Sequence, residues 1–167
     1  PSGWTGKNWA CHQLSRAAMG DILLFMDADT YMLPAALSAT VGALKDNETG
    51  LLSALPSEET ITWGEKFIVP IIHWAIFCIM PLILAFKRWV PSIAVSHGQY
   101  MCFTKAAYGQ IGGHAAVRNR VVEDKEITSL IVKAGIKWRL FDGTNILSCR
   151  MYRTSKEASE GLIKNLF

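Results

Sequence analysis

The stretch "GDILLFMDADTYMLP", residues 20–34, constrains this chain more than any other. Five apolar residues run without a break into two aspartates one position apart, Asp27 and Asp29. A short, continuous apolar run that ends in charge reads as a buried strand. Open α/β sheets bind ligands just beyond the carboxyl ends of such strands. Two neighbouring carboxylates repel each other unless a cation lies between them. In extended backbone the side-chain period is two, so Asp27 and Asp29 are expected to point the same way, toward one hard divalent cation. Mg2+ or Mn2+ suits such a pair, because either keeps its other positions for water and substrate phosphates.

The pattern around this strand is α/β. After the loop "PSGWTGKN", Ala10, Leu14, Ala17 and Ala18 keep helical spacing, and Gly20 ends the helix. Pro34 opens a second helix with Leu37, Val41 and Leu44 on one face, and "LLSALPS" follows as a strand. Loop, helix, strand, helix, strand predicts a mixed, mainly parallel sheet flanked by helices. Further on, "GQYMCFTKAAYGQIGGH" offers a strand, a short helix and a Gly-Gly turn. Glu123 and Asp124 open a helix with Ile127, Leu130, Ile131 and Ala134 on its apolar face, and Gly135 stops it. Ile136, Trp138 and Leu140 then alternate with Lys137 and Arg139, a half-buried strand.

Composition narrows the class. The 167 residues suffice for one domain with a sizeable core. Half are hydrophobic and 19% are charged, below the usual quarter, which favours a membrane-associated or very apolar α/β protein. A net charge of +3 without a dense Lys/Arg cluster gives no reason to expect nucleic acid as a partner. Cys11, Cys78, Cys102 and Cys149 are far apart and form no C-x-x-C pair, so they read as reduced thiols in a cytosolic compartment. The chain has no initiating Met and stops inside the apolar "GLIKNLF", and it is expected to be a piece of a longer protein.

Several side chains have types and positions suited to chemistry. Lys7 lies in "GWTGKN", a Gly-containing loop ahead of a helix that can lie against phosphates. Glu123 and Asp124 form a second acidic pair at a helix start, where negative charge is favoured. Arg150 and Arg153 in "RMYR" are suited to gripping an anion if both face inward.

The order and spacing of "GWTGK", "LLFMDADT", "AAYGQIGGH", "VVEDKEI" and "RMYR" followed by "EGLIKN" resemble a glycosyltransferase of family 2 with the GT-A fold. Within it, the sequence is similar to the membrane-bound branch associated with carotenoid and hopanoid glycosylation. The resemblance implies inverting transfer of a sugar from a nucleotide-sugar donor to a hydroxyl, or a carboxyl, of an acceptor, expected to be a lipid. Asp27 and Asp29 take the place of the family's D-x-D motif, which holds the metal bridging the donor's diphosphate. Asp124 falls on the catalytic aspartate of its E-D motif, a general base, and Glu123 beside it is implied to orient the acceptor. Lys7 matches a loop residue near the donor diphosphate. Arg150 and Arg153 sit where many members have Q-x-x-R-W, with Arg150 replacing the glutamine and Thr154 the tryptophan. "SHGQ", with His97 and Gln99, falls in the acceptor-side region. The family's first nucleotide-binding strands are missing, so residues 1–167 are expected to be a partial catalytic domain whose sheet is incomplete at its N-terminus.

Residues 67–86, "FIVPIIHWAIFCIMPLILAF", carry no charge and are flanked by Glu65, Lys66, Lys87 and Arg88. About 20 apolar residues can cross a bilayer once, but a single crossing puts Asp27 and Asp124 on opposite sides. A there-and-back path needs roughly twice that length. Pro70 and Pro81 break helices, so segment 67–89 is expected as interrupted helices on a membrane surface or against the sheet. The expected location is membrane-associated, with the active site on the cytoplasmic side.

Two rival readings remain. "DILLFMDADT" shares its D-x-D with haloacid-dehalogenase-type phosphatases, which want Thr or Val where Tyr31 stands, and Lys105, Glu123 and Asp124 would have to supply the rest. A non-catalytic membrane-anchored module that binds a nucleotide sugar is the other, and intact Asp27, Asp29 and Asp124 count against it.

Overall fold

The computed structural model describes residues 1–79, 90–152, 154 and 157, with backbone alone for 72–79. Helix α1 (Gly6–Ala17) starts earlier than the apolar repeat suggests, because Thr5 caps it by accepting the N–H of Asn8 at 3.3 Å. Lys7 therefore sits on a first helical turn and not in a loop. Buried Asn8 donates through Nδ2 to the carbonyls of Val117 at 2.8 Å and Arg120 at 3.0 Å. The N–H of Thr5 reaches the Arg118 carbonyl at 2.8 Å. These bonds anchor the start of α1 to the segment that leads into Glu123.

The chain continues through β1 (Ile22–Met26), β2 (Thr30–Met32), α2 (Ala36–Asp46), β3 (Leu51–Leu55), β4 (Ser57–Glu58) and α3 (Trp63–Ile79). After a single 3-10 turn, Pro91–Ile93, come β5 (Tyr100–Thr104), α4 (Lys105–Gln110), α5 (Gly113–Ala116), α6 (Glu123–Lys133), β6 (Trp138–Asp142) and β7 (Leu147–Cys149). The larger sheet has the order β1-β5-β3-β6. It is mixed, as expected, but antiparallel pairing outweighs the parallel pairing that was expected to dominate: β5 is antiparallel to β1 and to β3, and only β3 and β6 pair in parallel. β1, β3 and β6 do run in one direction, as a helix between strands requires. What local pattern does not reveal is that β5 enters between β1 and β3 from the opposite end.

Period-two alternation through the two central strands builds a core on each face. Leu51 of β3 and Met101 and Phe103 of β5 face Ile127 and Ile131 of α6. Leu52 and Cys102 face the other way, against Leu44 of α2. Full burial of a side chain such as Phe103 contributes about 1.5–3 kcal/mol. The buried face of α2 is Ala36, Thr40 and Leu44, not Leu37, Val41 and Leu44; Leu37 is half exposed. The face is turned because Thr40 Oγ1 and the Tyr100 hydroxyl hydrogen-bond at 2.8 Å beneath the helix, seating a polar pair where Val41 was expected.

The Gly-Gly turn stands as expected. Gly113 has φ +53°, and a Cβ there would lie 2.3 Å from the Tyr108 ring, so only glycine fits. Gly135, at φ +72°, follows the end of α6.

Helix α3 differs from expectation, since it runs through Pro70 without interruption. Its start is held by a capping box: Glu65 accepts the N–H of Ile61 at 2.8 Å and the Thr62 hydroxyl at 2.7 Å, while the N–H of Glu65 reaches Thr62 Oγ1 at 3.4 Å. Pro70 lies on the exposed side, where the Lys66 carbonyl that loses its helical donor can meet solvent. Among the described residues no helix is long and apolar enough to cross a membrane. Residues 80–89, with Pro81, lie outside the described residues, as does the "EGLIKN" stretch.

A second, three-stranded sheet, β2-β7-β4, completes the frame of the site. β7 is antiparallel to β2 and parallel to β4, so Thr30 and Glu58 both stand opposite Cys149.

Candidate active site

Asp27 follows the last residue of β1, with its N–H on the Gln99 carbonyl at 3.1 Å. The chain then turns, and the Thr30 N–H returns to the Asp27 carbonyl at 3.1 Å. Asp27-Ala28-Asp29 is thus a turn and not extended backbone, so the two side chains are not aligned by strand period. They nonetheless line one cleft of about 970 Å3, together with Lys7, Tyr31, Glu59 and Arg150. The small sheet brings these together: the Arg150 N–H binds the Asp29 carbonyl at 3.2 Å, and the Glu59 N–H binds the Cys149 carbonyl at 2.8 Å. Three carboxylates against two cations make a lining better suited to an anion that carries its own cation than to a bare anion.

Lys7 does not point into an empty phosphate loop. Its Nζ stands 2.9 Å from Asp27 Oδ1, 3.2 Å from Asp27 Oδ2 and 2.9 Å from Glu123 Oε1. Burial works against the charged ammonium, but its hydrogen bonds to Asp27 and Glu123 outweigh this and raise the pKa of Lys7 above the ordinary value. The side chain is 43% exposed, so these pairs are screened and matter more for geometry than for stability. The two acidic pairs found in the sequence therefore meet through one lysine.

Asp124 is held by backbone. Its Oδ1 accepts the N–H of Lys125 at 2.7 Å and its Oδ2 that of Gly98 at 3.1 Å. Gly98 is close enough that a Cβ there would lie 3.2 Å from Oδ2. Burial raises the pKa of Asp124 and the charge of Glu123 adds to this, while the two N–H groups and Lys7 oppose it. The net direction is upward, so the balance left open by the sequence falls toward a stronger base.

Arg150 lines the cleft with its Nε buried and without a hydrogen-bond partner. Arg153 lies outside the described residues. Gln99 is buried and donates through Nε2 to Cys149 Sγ at 3.0 Å. Sequence reasoning passed over Glu58 and Glu59. Burial raises Glu58 to about 7, a hydrogen bond from Gln99 partly opposes this, and the charge of Asp29 adds to it. The signal was present, because Glu58 and Glu59 follow a buried strand just as Asp27 and Asp29 do.

The lining tests the expected metal. Among the described residues no group of three His, Cys, Asp or Glu side chains forms a cage for an ion. Oδ1 of Asp29, however, is buried with no hydrogen-bond partner, an uncompensated acceptor that a bound cation would satisfy. Two hard carboxylate ligands with room for phosphates suit Mg2+ or Mn2+, so the residues fit.

This chain belongs to glycosyl transferase family 21, whose profile matches residues 1–156. Among curated relatives it is similar to 4,4'-diaponeurosporenoate glycosyltransferase of Staphylococcus haemolyticus (strain JCSC1435), 25% identical over 172 residues, covering 98% of this chain and 44% of that protein. The chain thus spans less than half the length of this relative. Among solved structures, mannosyl-3-phosphoglycerate synthase from Rubrobacter xylanophilus aligns over 96% of this chain and 51% of its own, at 12% identity and a TM-score of 0.44. The resemblance to a glycosyltransferase read from the motifs holds, the family given by the match being 21, and the phosphatase reading falls away.

Proposed function

We propose that this chain carries the donor-metal and general-base portions of an inverting glycosyltransferase that moves a sugar from a nucleotide-sugar donor to a lipid acceptor. The observation that carries the reading is the meeting of Asp27 and Glu123 on one lysine, beside the unpartnered oxygen of Asp29. Asp27 and Asp29 would hold a divalent cation, Mg2+ or Mn2+, which when bound neutralises the charge that builds on the departing nucleoside diphosphate. Arg150, with Nε free of hydrogen bonds, is placed to bind donor oxygens. Asp124 takes the proton of the acceptor oxygen as that oxygen bonds to the anomeric carbon and the bond to the diphosphate breaks on the opposite face. Glu123, fixed by Lys7, orients the acceptor.

A lipid acceptor draws support from two sources. Trp63, Phe67 and Ile71, four residues apart on α3, are 77%, 67% and 52% exposed, an apolar stripe suited to a membrane surface. Lys66 stands 5.6 Å from the centre of the Trp63 ring, where a cation can also meet anionic headgroups. The relative from Staphylococcus haemolyticus is named for 4,4'-diaponeurosporenoate, consistent with an apolar acceptor bearing a carboxyl.

The test is a screen of the full-length protein against nucleotide sugars and lipid acceptors, with Mn2+ or with chelator. Sugar transfer that needs the metal and inverts the anomeric centre is expected. Donor binding without turnover would turn the reading toward a binding module, and retention of configuration would overturn the mechanism.

A further inference from the structure

The two metal-pair aspartates are not equivalent. Both oxygens of Asp27 are engaged by the Lys7 ammonium, at 2.9 and 3.2 Å, whereas Oδ1 of Asp29 is buried and has no hydrogen-bond partner. Building on the glycosyltransferase reading above, we propose that Lys7 is a resident cation that occupies Asp27 while the donor side is empty and withdraws from it toward Glu123 when a divalent ion binds. Lys7 is then an internal competitor of the metal and a positioning residue for Glu123, in addition to any contact with the donor.

Three observations carry this. A divalent cation at the Asp27 carboxylate competes with an ammonium that spans both of its oxygens, since the two positive charges repel at that distance. Lys7 is not needed to fasten α1, because Thr5 and Asn8 already tie that helix to the segment 117–120 with uncharged hydrogen bonds. Lys7 can also leave at little cost: its side chain is 43% exposed, on a flexible stem, and its bond to Glu123 at 2.9 Å offers a second resting place. Glu123 is itself only 8% exposed, so withdrawal toward it leaves no buried carboxylate uncompensated. Asp29 is the open ligand, and Asp27 becomes available by exchange.

Exclusion of this kind is a coupling free energy, typically 5- to 150-fold in affinity, and the exposure of Lys7 places it near tenfold. The test measures Mn2+ alone, by the paramagnetic resonance of free Mn2+, on full-length protein without donor. Lys7→Met is expected to bind Mn2+ about tenfold more tightly than wild type while losing kcat, because Glu123 is no longer positioned. Lys7→Arg, which keeps the charge, should stay within about twofold of wild type in Mn2+ affinity. If Lys7→Met fails to fold by circular dichroism, Lys7→Gln carries the same expectation. Unchanged or weaker Mn2+ binding in the neutral variant would overturn the proposal. Failure of the underlying reading looks different: wild type and Asp29→Ala would then bind Mn2+ equally poorly, and the proposal would fall with it.

Discussion

The Tyr108 hydroxyl stands 2.8 Å from Nδ1 of His114 and accepts the backbone N–H of the same histidine at 3.1 Å. An oxygen that accepts from the backbone can give its own hydrogen to Nδ1, which fits a neutral ring protonated on Nε2. Burial lowers the pKa of His114 from 6.5 to about 4, with the charge of Glu123 opposing. The folded value lies below the unfolded one, so below pH 6.5 the unfolded chain takes up a proton that the folded chain refuses. This stability is fully present above pH 6.5 and is lost as pH falls toward 4, about 3 kcal/mol in all. His114→Asn, whose amide oxygen can replace Nδ1 as acceptor, is expected to lose that part of the pH dependence. Urea denaturation of both proteins at pH 7 and pH 4.5 checks it, and equal slopes would rule it out.

Asp124 gives a prediction about rate. Asp124→Asn keeps the shape and removes the proposed base, so kcat should fall by about 10²–10⁴ with donor binding largely retained. Because burial raises the pKa of Asp124, the acid limb of the wild-type kcat/KM profile should lie above the ordinary aspartate value, activity being lost as pH falls through it. Glu123→Gln should cost less. A variant with intact kcat and weakened donor binding would show that Asp124 is not the base.

Gly98 offers a test of how tightly that base is held. A methyl group at residue 98 would press on Asp124 Oδ2 from 3.2 Å, and the carboxylate must give by a few tenths of an ångström. Misplacement of a catalytic group by about 1 Å costs roughly 10²-fold, so Gly98→Ala should lower kcat about tenfold and leave KM for the donor unchanged. Steady-state kinetics decide it.

For the metal pair, Asp29→Ala is expected to abolish transfer and metal-dependent donor binding, with Asp27→Ala equal or slightly milder. The unpartnered oxygen of Asp29 is the reason for that order. Wild-type turnover by either variant in chelator-treated buffer would remove the metal from the mechanism.

The stripe on α3 is testable separately. Trp63→Asp with Phe67→Asp should reduce binding to anionic lipid vesicles at least fivefold in co-sedimentation while leaving donor binding intact. Unchanged binding would assign the stripe another partner.

Much of this architecture was legible locally. The helix opened by Glu123 and closed by Gly135, the Gly-Gly turn and the acidic pair after β1 all follow from short-range rules, because caps, turns and strand ends depend on a few neighbours. The errors in the sheet and in the buried face of α2 share a cause, since each concerned a partner distant in sequence. The start of α1 at Thr5 is a local cap that no apolar repeat marks, but Thr40 turns α2 through a bond to Tyr100, sixty residues on. The antiparallel entry of β5 was hidden for the same reason. Within the site, Asp27, Asp29, Glu123 and Lys7 were readable as types, but their meeting on one ammonium depends on the fold. Glu58 was missed although the rule applied to Asp27 and Asp29 applies to it as well.

The backbone of Gly98 and Gln99 touches both halves of the proposed chemistry: the Gln99 carbonyl fixes the Asp27 backbone, and the Gly98 N–H holds the Asp124 carboxylate. In the proposed mechanism the gap between donor and acceptor sides is consequently gauged by main chain, which side-chain exchanges at positions other than 98 leave in place. Specificity for sugar or lipid is then free to drift in the outer lining, at positions such as Tyr31 or Glu59, without resetting that gauge. A one-residue slip of β5 would instead displace Asp27 and Asp124 together, so relatives of this chain should tolerate insertions between Ser96 and Tyr100 poorly.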